Sequence, residues 1–213
     1  MTEADVEWQA WLDKQPLDSL RAQLTESAWG LELSRQRFLS VARKPTDASA
    51  SGTFLINVGG DVNDPKAYLP EGFLERTKGV GLVLPSWAPQ AMVLRYPSTG
   101  AFISHCGWNS ILESISHGMP MITWPLYRMN PTMLVEEVGV AVKLTVGPEK
   151  GNINEREVIE RLIRMVIMEG DKGKMMRDRA RELKNSVKKA LNSGWSSFES
   201  LSCVVEEWKK NMS

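Results

Sequence analysis

Residues 100–120, GAFISHCGWNSILESISHGMP, decide the fold because they join a strand, a glycine turn and a helix. The run 100–104 is short and apolar and ends in a small polar residue, which is typical of a buried strand. Apolar side chains then recur at helical spacing from Ile111 to Ile115, and the Gly-Met-Pro that closes the stretch ends the helix. The sequence therefore predicts a strand and a helix joined by the turn 105–110.

The predicted turn has the chemistry of a phosphate site. The start of a helix presents unpaired backbone N–H groups at the positive end of the helix dipole, and such a point suits an anion. Gly107 lets the backbone approach a ligand closely, while His105, Asn109 and Ser110 supply side-chain donors. Glu113, one turn further on, would lie near the ribose hydroxyls of a nucleotide whose phosphate is docked on the turn.

A purely structural interpretation of the same residues stays open at this point. Ser110 and Glu113 have the spacing of a capping box, which needs no ligand. His105 could equally be an interior histidine that is hydrogen-bonded to the backbone.

The flanks of the turn favour the ligand site. Trp87-Ala88-Pro89-Gln90 opens the stretch, and Gly118-Met119-Pro120 with Trp124-Pro125-Leu126-Tyr127 closes it. Together with HCGWNS at 105–110 and Leu112-Glu113-Ser114, they closely resemble the signature box of plant family 1 UDP-glycosyltransferases. The resemblance implies an α/β fold, namely a Rossmann-like parallel sheet with helices on both faces that forms the C-terminal half of a GT-B glycosyltransferase.

In that family the box binds the UDP part of a nucleotide sugar. The resemblance therefore implies eight UDP-binding residues: Trp87, Ala88, Gln90, His105, Trp108, Asn109, Ser110 and Glu113. Trp87 would stack on uracil, and the Ala88 backbone would contact the edge of the base. Gln90 and Glu113 would hold the ribose hydroxyls.

The remaining four of these residues would contact the other end of the ligand. His105, Asn109 and Ser110 would hold the diphosphate, and the Trp108 backbone would lie close to the sugar. UDP-glucose would be the donor substrate, with no separate cofactor and no metal. The resemblance assigns no catalytic residue to this chain, because the family's general base lies in its N-terminal acceptor domain; His117 is not placed as that base.

Two departures from the family pattern qualify this interpretation. Relatives carry a strand and a Ser/Gly-rich turn where residues 17–19 run directly into a helix, so we expect the first strand of the domain to be missing. A shorter strand over Leu17–Gln23 is the alternative. The family's box also ends with an acidic residue and a Gln that hold the sugar hydroxyls, and by counting Met129 and Asn130 occupy those positions.

Composition limits the function classes. The 213 residues are 42% apolar and 24% charged, and 26 basic residues balance 26 acidic ones, so no charge excess indicates nucleic acid or an anionic membrane. The acidic, polar start is not a secretory signal, and no apolar run approaches the roughly 18 residues of a transmembrane helix. Cys106 and Cys203 form no CxxC motif, which favours a reducing, cytoplasmic location.

The rest of the chain predicts alternating helices and strands. Helices are expected at 6–14, 20–33, 70–76, 89–94, 132–137, 154–168, 171–191 and 196–208, and strands at 37–42, 81–84, 121–123 and 140–144. Residues 44–68 are expected to form a long loop with a weak strand at 54–58. Strands alternating with helices indicate a parallel sheet whose ligand lies outside the carboxyl ends of the strands.

The predicted segments are a linker and leading helix at 1–19, a UDP-sugar-binding domain at 20–195 and a C-terminal crossover helix at 196–213. In function, the chain is expected to be the donor-binding domain of an enzyme that transfers glucose, with inversion, to a phenolic or flavonoid hydroxyl. A phenolic acceptor would bind only if an N-terminal acceptor domain is supplied. The alternative is a truncated, non-catalytic UDP-binding module or remnant. A nicotinamide enzyme is excluded because no GxGxxG follows a first strand.

Overall fold

The computed structural model describes residues 17–42, 64–85, 87–124, 132–144, 156–168 and 170–212, with side chains from residue 21 onward. Several sequence predictions lie outside the described residues: the helix 6–14, most of the loop 44–68 with its strand 54–58, and the sugar-contact positions Met129 and Asn130.

The described residues alternate between helices and parallel strands, as the sequence predicts. The helices are α1 (Leu17–Ser34), α2 (Phe73–Arg76), α3 (Gln90–Arg95), α4 (Trp108–His117), α5 (Arg156–Ile167), α6 (Gly170–Ala190) and α7 (Ser196–Asn211). The strands are β1 (Phe38–Ala42), β2 (Gly81–Pro85), β3 (Phe102–Ser104), β4 (Met121–Thr123) and β5 (Ala141–Lys143). A 3₁₀ turn at Pro65–Ala67 and a π-helix at Met133–Glu137 complete the set.

All of the strand pairs are parallel, and among the described residues they form two sheets. One sheet has the order β1-β2, and the other has the order β3-β4-β5. Phe102 of β3 pairs with Met121 of β4, which pairs with Ala141 of β5. The carboxyl ends of β3, β4 and β5 therefore lie at one edge of the sheet, where ligands bind in folds of this class.

Helices cover both faces of the three-stranded sheet. Met121 and Ile122 are adjacent on β4 and fully buried, and they point to opposite faces because side chains alternate along a strand. Met121 packs in one cluster with residues of α4, the π-helix and α6. Ile122 packs in a second cluster, mainly with residues of α5. This arrangement gives the predicted layers of helix, parallel sheet and helix.

The two-stranded sheet is covered less completely. Phe38 of β1 stacks against Phe73 of α2 with ring centroids 6.0 Å apart, which covers one face. On the other face Leu39 pairs with Leu82, and these side chains are 40% and 54% exposed. The prediction that 81–84 is a buried strand is therefore wrong for Leu82, because no described helix packs on this face.

The buried face of α5 differs from the prediction by one residue. The sequence predicts burial of Val158, Leu162, Val166 and Ile167, whereas Ile159, Ile163 and Val166 are the buried residues. The face is shifted because α1 also packs on α5. At Gly30 of α1 a Cβ atom would lie 2.6 Å from the Cβ of Ile159, so the two helices approach each other very closely.

The strongly basic sequence of 171–191 predicts a solvated helix, and this is wrong for one face of α6. Met176 and Ala180 are buried, and α6 contacts both α4 and α5. Its basic side chains lie on the outer face, so the high charge of the segment is compatible with packing on the opposite side.

Helix α1 begins at Leu17, so the alternative of a short strand over Leu17–Gln23 is wrong. The predicted segment boundary between residues 19 and 20 falls inside this helix; the three-segment division remains a prediction. The third segment coincides with α7, in which no residue is buried.

Ion pairs hold α1 to its neighbours on both sides of Trp29. Glu26 accepts a hydrogen bond from the Arg156 Nε–H at 2.9 Å, and Glu32 accepts one from the Arg76 Nε–H at 2.7 Å. Both guanidinium groups lie over the Trp29 ring, at 5.4 and 4.7 Å from its centroid. The ring thus joins α1 to the start of α5 and the end of α2.

The described residues contain neither a membrane-spanning helix nor a cluster of metal-binding side chains. None of their helices is long and apolar enough to cross a bilayer. No group of three or more His, Cys, Asp or Glu side chains within the same ranges could hold a metal ion.

Candidate nucleotide site

The turn between β3 and α4 is held in shape by two residues. Cys106 has φ 63°, a left-handed conformation that is uncommon for a residue with a side chain. Its N–H donates to the Ser104 Oγ at 3.1 Å, and its side chain is buried in the core. Burial raises the pKa of the Cys106 thiol to about 11. The cysteine therefore anchors the turn and stays protonated.

The turn delivers the chain directly into the start of α4. Gly107 is the N-cap residue, and no side chain caps the helix. The capping-box alternative for Ser110 and Glu113 is therefore wrong, because Ser110 is the third residue inside the helix rather than its cap. Helix α4 presents its first backbone N–H groups, those of Trp108, Asn109 and Ser110, at the carboxyl edge of the sheet.

His105 lies next to the N-cap residue of α4. A Cβ atom placed on Gly107 would lie only 2.6 Å from the His105 Nε2 atom, so the ring nitrogen is packed against that residue. Burial lowers the pKa of His105, which favours the neutral imidazole at pH 7. A neutral ring can donate to an anion only from the nitrogen that carries its proton.

Gln90, Ser110 and Glu113 meet, although 23 residues of sequence separate the outer two. The Gln90 Nε2–H donates to the Glu113 Oε2 at 2.8 Å and lies 3.4 Å from the Ser110 Oγ. Gln90 is the first residue of α3, which packs on α4. This contact brings together the part of the box that follows β2 and the part that follows β3.

Two of the three tryptophans of the box are exposed. Trp87 is 67% exposed and Trp108 is 62% exposed, whereas Ala88 between them is half-buried. Both side chains are therefore open to contact with a ligand. Asn109 is also exposed at the start of α4.

Residues 69–169 match the family described as UDP-glucoronosyl and UDP-glucosyl transferase. Anthocyanidin 3-O-glucosyltransferase 5 of Manihot esculenta is 46% identical over 216 residues, which cover 94% of this chain and 44% of that relative. Over most of its length the chain is similar to plant UDP-glycosyltransferases.

Two further relatives show the same similarity. The hydroquinone glucosyltransferase of Rauvolfia serpentina is 43% identical and is matched over 98% of this chain and 47% of its own length. The structure of Phytolacca americana UGT2 complexed with UDP-2fluoro-glucose and pterostilbene is 38% identical, with a TM-score of 0.75. It is matched over 94% of this chain and 44% of its own. The predicted fold class, the Rossmann-like C-terminal half of a GT-B glycosyltransferase, is confirmed.

The chain spans a little under half the length of the curated relatives it matches.

The second histidine of the chain, His117, lies at the far end of α4, about 15 Å along the helix axis from the turn. The His117 Nδ1 is 2.7 Å from the Glu113 carbonyl oxygen, to which it donates as the Nδ1–H tautomer. His117 is thus engaged with its own helix.

Sequence reasoning missed two polar residues at the carboxyl ends of strands. Ser104 was treated only as the end of a strand, yet its hydroxyl accepts from the Cys106 N–H; a serine two residues before a sharp turn is the available signal. Thr123, at the carboxyl end of β4, is buried with an Oγ1 that has no hydrogen-bond partner among the described residues. No sequence pattern indicates that orphaned hydroxyl.

Proposed function

We propose that this chain forms the donor-binding half of a UDP-glycosyltransferase that transfers glucose from UDP-glucose to the hydroxyl of a phenolic or flavonoid acceptor, with inversion. The observation that carries the proposal is the meeting of Gln90, Ser110 and Glu113 beside the uncapped start of α4. Polar acceptors and backbone donors converge there at the carboxyl ends of the strands.

The nucleoside end of UDP would be held by residues that follow β2. The exposed Trp87 ring offers a face to uracil, and the Ala88 backbone lies next to it in the chain. Gln90 and Glu113 would bind the ribose hydroxyls, since a carboxylate accepts from hydroxyl groups and an amide both accepts and donates. Their mutual hydrogen bond supports this role because both polar ends lie at one point.

The diphosphate would be held by the turn and the start of α4. As the acceptor oxygen attacks the anomeric carbon, the bond from that carbon to the β-phosphate oxygen breaks and its electron pair remains on UDP. The negative charge on the phosphate therefore grows in the transition state. Backbone N–H groups of α4, with His105, Asn109 and Ser110, would stabilise this charge, and the nearby Trp108 backbone would face the sugar.

The reaction also requires a base that takes the proton of the acceptor hydroxyl. His105 is assigned to phosphate and His117 is bonded to its own helix, so we assign no catalytic base to this chain. The base and the acceptor pocket would come from an acceptor domain. The proposal includes no metal, no further cofactor and no nucleic-acid partner. It includes a cytoplasmic location, because Cys106 and Cys203 are free thiols.

A second candidate is a UDP-binding module that does not transfer sugar. Met129 and Asn130 favour it, since they occupy the positions of the acidic residue and the Gln. Inserting Ala-Glu-Gln between Tyr127 and Arg128 separates the two candidates. For the module we expect parent UDP and UDP-glucose affinities to be alike, and the insertion to strengthen UDP-glucose alone by roughly tenfold. A parent that already prefers UDP-glucose would exclude the module.

Calorimetric titration with UDP tests the proposed site. Base–aromatic stacking is worth about 1–3 kcal/mol, so Trp87→Ala should weaken UDP by about tenfold or more, and Trp87→Phe should recover part of the loss. Trp195→Ala is the matched control, because Trp195 is also exposed but lies before α7. Equal UDP affinity of parent and Trp87→Ala would remove Trp87 from the site.

A further inference from the structure

Gly107 is not required by the conformation of its backbone. Its φ of −57° and ψ of 148° are extended values that any residue adopts. The preceding Cys106 is in the left-handed region and yet carries a side chain. If conformational freedom were the need, position 106 rather than 107 would hold the glycine.

The space beside Gly107 is what excludes a side chain. A Cβ atom there would lie 2.6 Å from the His105 Nε2 and 3.4 Å from both ring carbons that flank it. Real Cβ atoms do not approach other atoms to 2.6 Å, so an alanine would force one of the two groups to move. The imidazole is the far end of a side chain with two rotatable bonds, whereas residue 107 is tied into the start of α4. The ring would therefore move.

We propose that Gly107 is a positioning residue whose missing side chain keeps the His105 imidazole at the start of α4, where Nε2 meets the diphosphate of the donor. This inference rests on the proposed function, since the phosphate is what the ring would contact. The inference adds a steric requirement at residue 107, which the sequence motif alone does not show. The histidine contributes to phosphate binding only while residue 107 has no Cβ atom.

The surroundings of the ring explain why its position matters. His105 is half-buried between the end of β3 and the start of α4, so a displaced ring cannot simply bind phosphate from a more distant place. Nε2 lies against Gly107, the N-cap residue of α4, and the residues that carry the first N–H groups of the helix follow directly in the chain. Turning the ring away would leave the backbone donors in place and remove only the side-chain donor.

A double-mutant cycle measured with UDP and with uridine tests the inference. Gly107→Ala should weaken UDP binding by roughly three- to tenfold, the value of one hydrogen bond, and should leave uridine affinity unchanged. In the His105→Ala background the same change should have no further effect, because no ring remains to be displaced. Gly100→Ala is the control: its Cβ would contact only the Ile167 Cγ1 at 3.9 Å, and it should bind like the parent.

Equal losses of UDP affinity from Gly107→Ala in both backgrounds would overturn the inference, because the glycine would then serve the backbone's own approach to phosphate. Loss of uridine affinity would overturn it too, since the whole turn would have changed.

Ring signals give a readout without any ligand. The chain has only 2 histidines, so His117→Asn assigns the ¹H–¹³C imidazole resonances. In Gly107→Ala we expect those of His105 to shift and those of His117 to stay. Unchanged His105 signals would overturn the inference even if UDP binds as proposed. A parent that fails to bind UDP, with shifted His105 signals, would instead refute the proposed function.

Discussion

Replacing Thr123 by valine is expected to stabilise the fold, although it removes a polar group. Thr123 is 2% exposed at the end of β4, and among the described residues its Oγ1 is the one buried side-chain oxygen or nitrogen without a hydrogen-bond partner. In the unfolded chain this hydroxyl is hydrated, so folding removes its bonds to water and replaces them with nothing. Valine has the same shape and loses no such bonds.

The magnitude follows from the cost of an unsatisfied buried group, which is about 1–3 kcal/mol. Part of it would be relieved by small movements, so we expect Thr123→Val to raise the free energy of unfolding by about 1–2 kcal/mol. For a chain of this length that corresponds to a rise in Tm of roughly 2–8 °C. Valine also suits a strand, because it is β-branched like threonine.

Urea unfolding of parent and variant measures the effect, and Thr77→Val supplies the matched control. Thr77 is equally buried at 2%, but its Oγ1 donates to the Phe73 carbonyl oxygen at 2.8 Å. The same substitution should therefore destabilise by about 1 kcal/mol at Thr77 and stabilise at Thr123. If Thr123→Val destabilised the protein as much as Thr77→Val, the hydroxyl of Thr123 would have a partner after all and the reasoning would be refuted.

Two further predictions concern the turn before α4. Burial raises the pKa of Cys106 to about 11, whereas Cys203 is exposed, so iodoacetamide at pH 8 should label only Cys203 in the native chain. Peptide mass analysis identifies the labelled cysteine, and rapid labelling of Cys106 would contradict its burial. The pKa of His105 is lowered by burial, so the unfolded chain binds the proton more readily and stability should fall as the pH drops below about 6.5. Urea unfolding at pH 7 and 5.5 should show a smaller loss for His105→Asn than for the parent, and equal losses would exclude His105 as the cause.

The strand, turn and helix around His105 could be predicted from sequence because each depends on local pattern. An apolar run predicts a strand, helical spacing from Ile111 to Ile115 predicts α4, and Gly118 with φ 70° ends that helix as a glycine should. The order of strands and helices then predicts the parallel sheet and the edge at which the site lies.

What could not be predicted depends on contacts between distant residues. The spacing of Ser110 and Glu113 equally suits a cap or a ligand site, and only the packing of α3 on α4 shows Glu113 bonded to Gln90. Nothing in the sequence indicates that Cys106 takes a left-handed conformation. The energetic cost of that conformation is offset by burial of the side chain in the core, which depends on residues distant in sequence. The exposure of Leu82 likewise depends on what covers β2, which the continuous apolar run 82–84 does not reveal.

The strands form two separate sheets, and binding of the donor would couple the unfolding of one sheet to that of the other. Among the described residues no backbone hydrogen bond joins β1-β2 to β3-β4-β5, so α1 and the Gln90–Glu113 contact are the main links between them. UDP bound as proposed would touch Trp87 after β2 and His105 after β3 at once. The donor would then act as a cross-link, and its binding energy would favour unfolding of both sheets in a single cooperative transition.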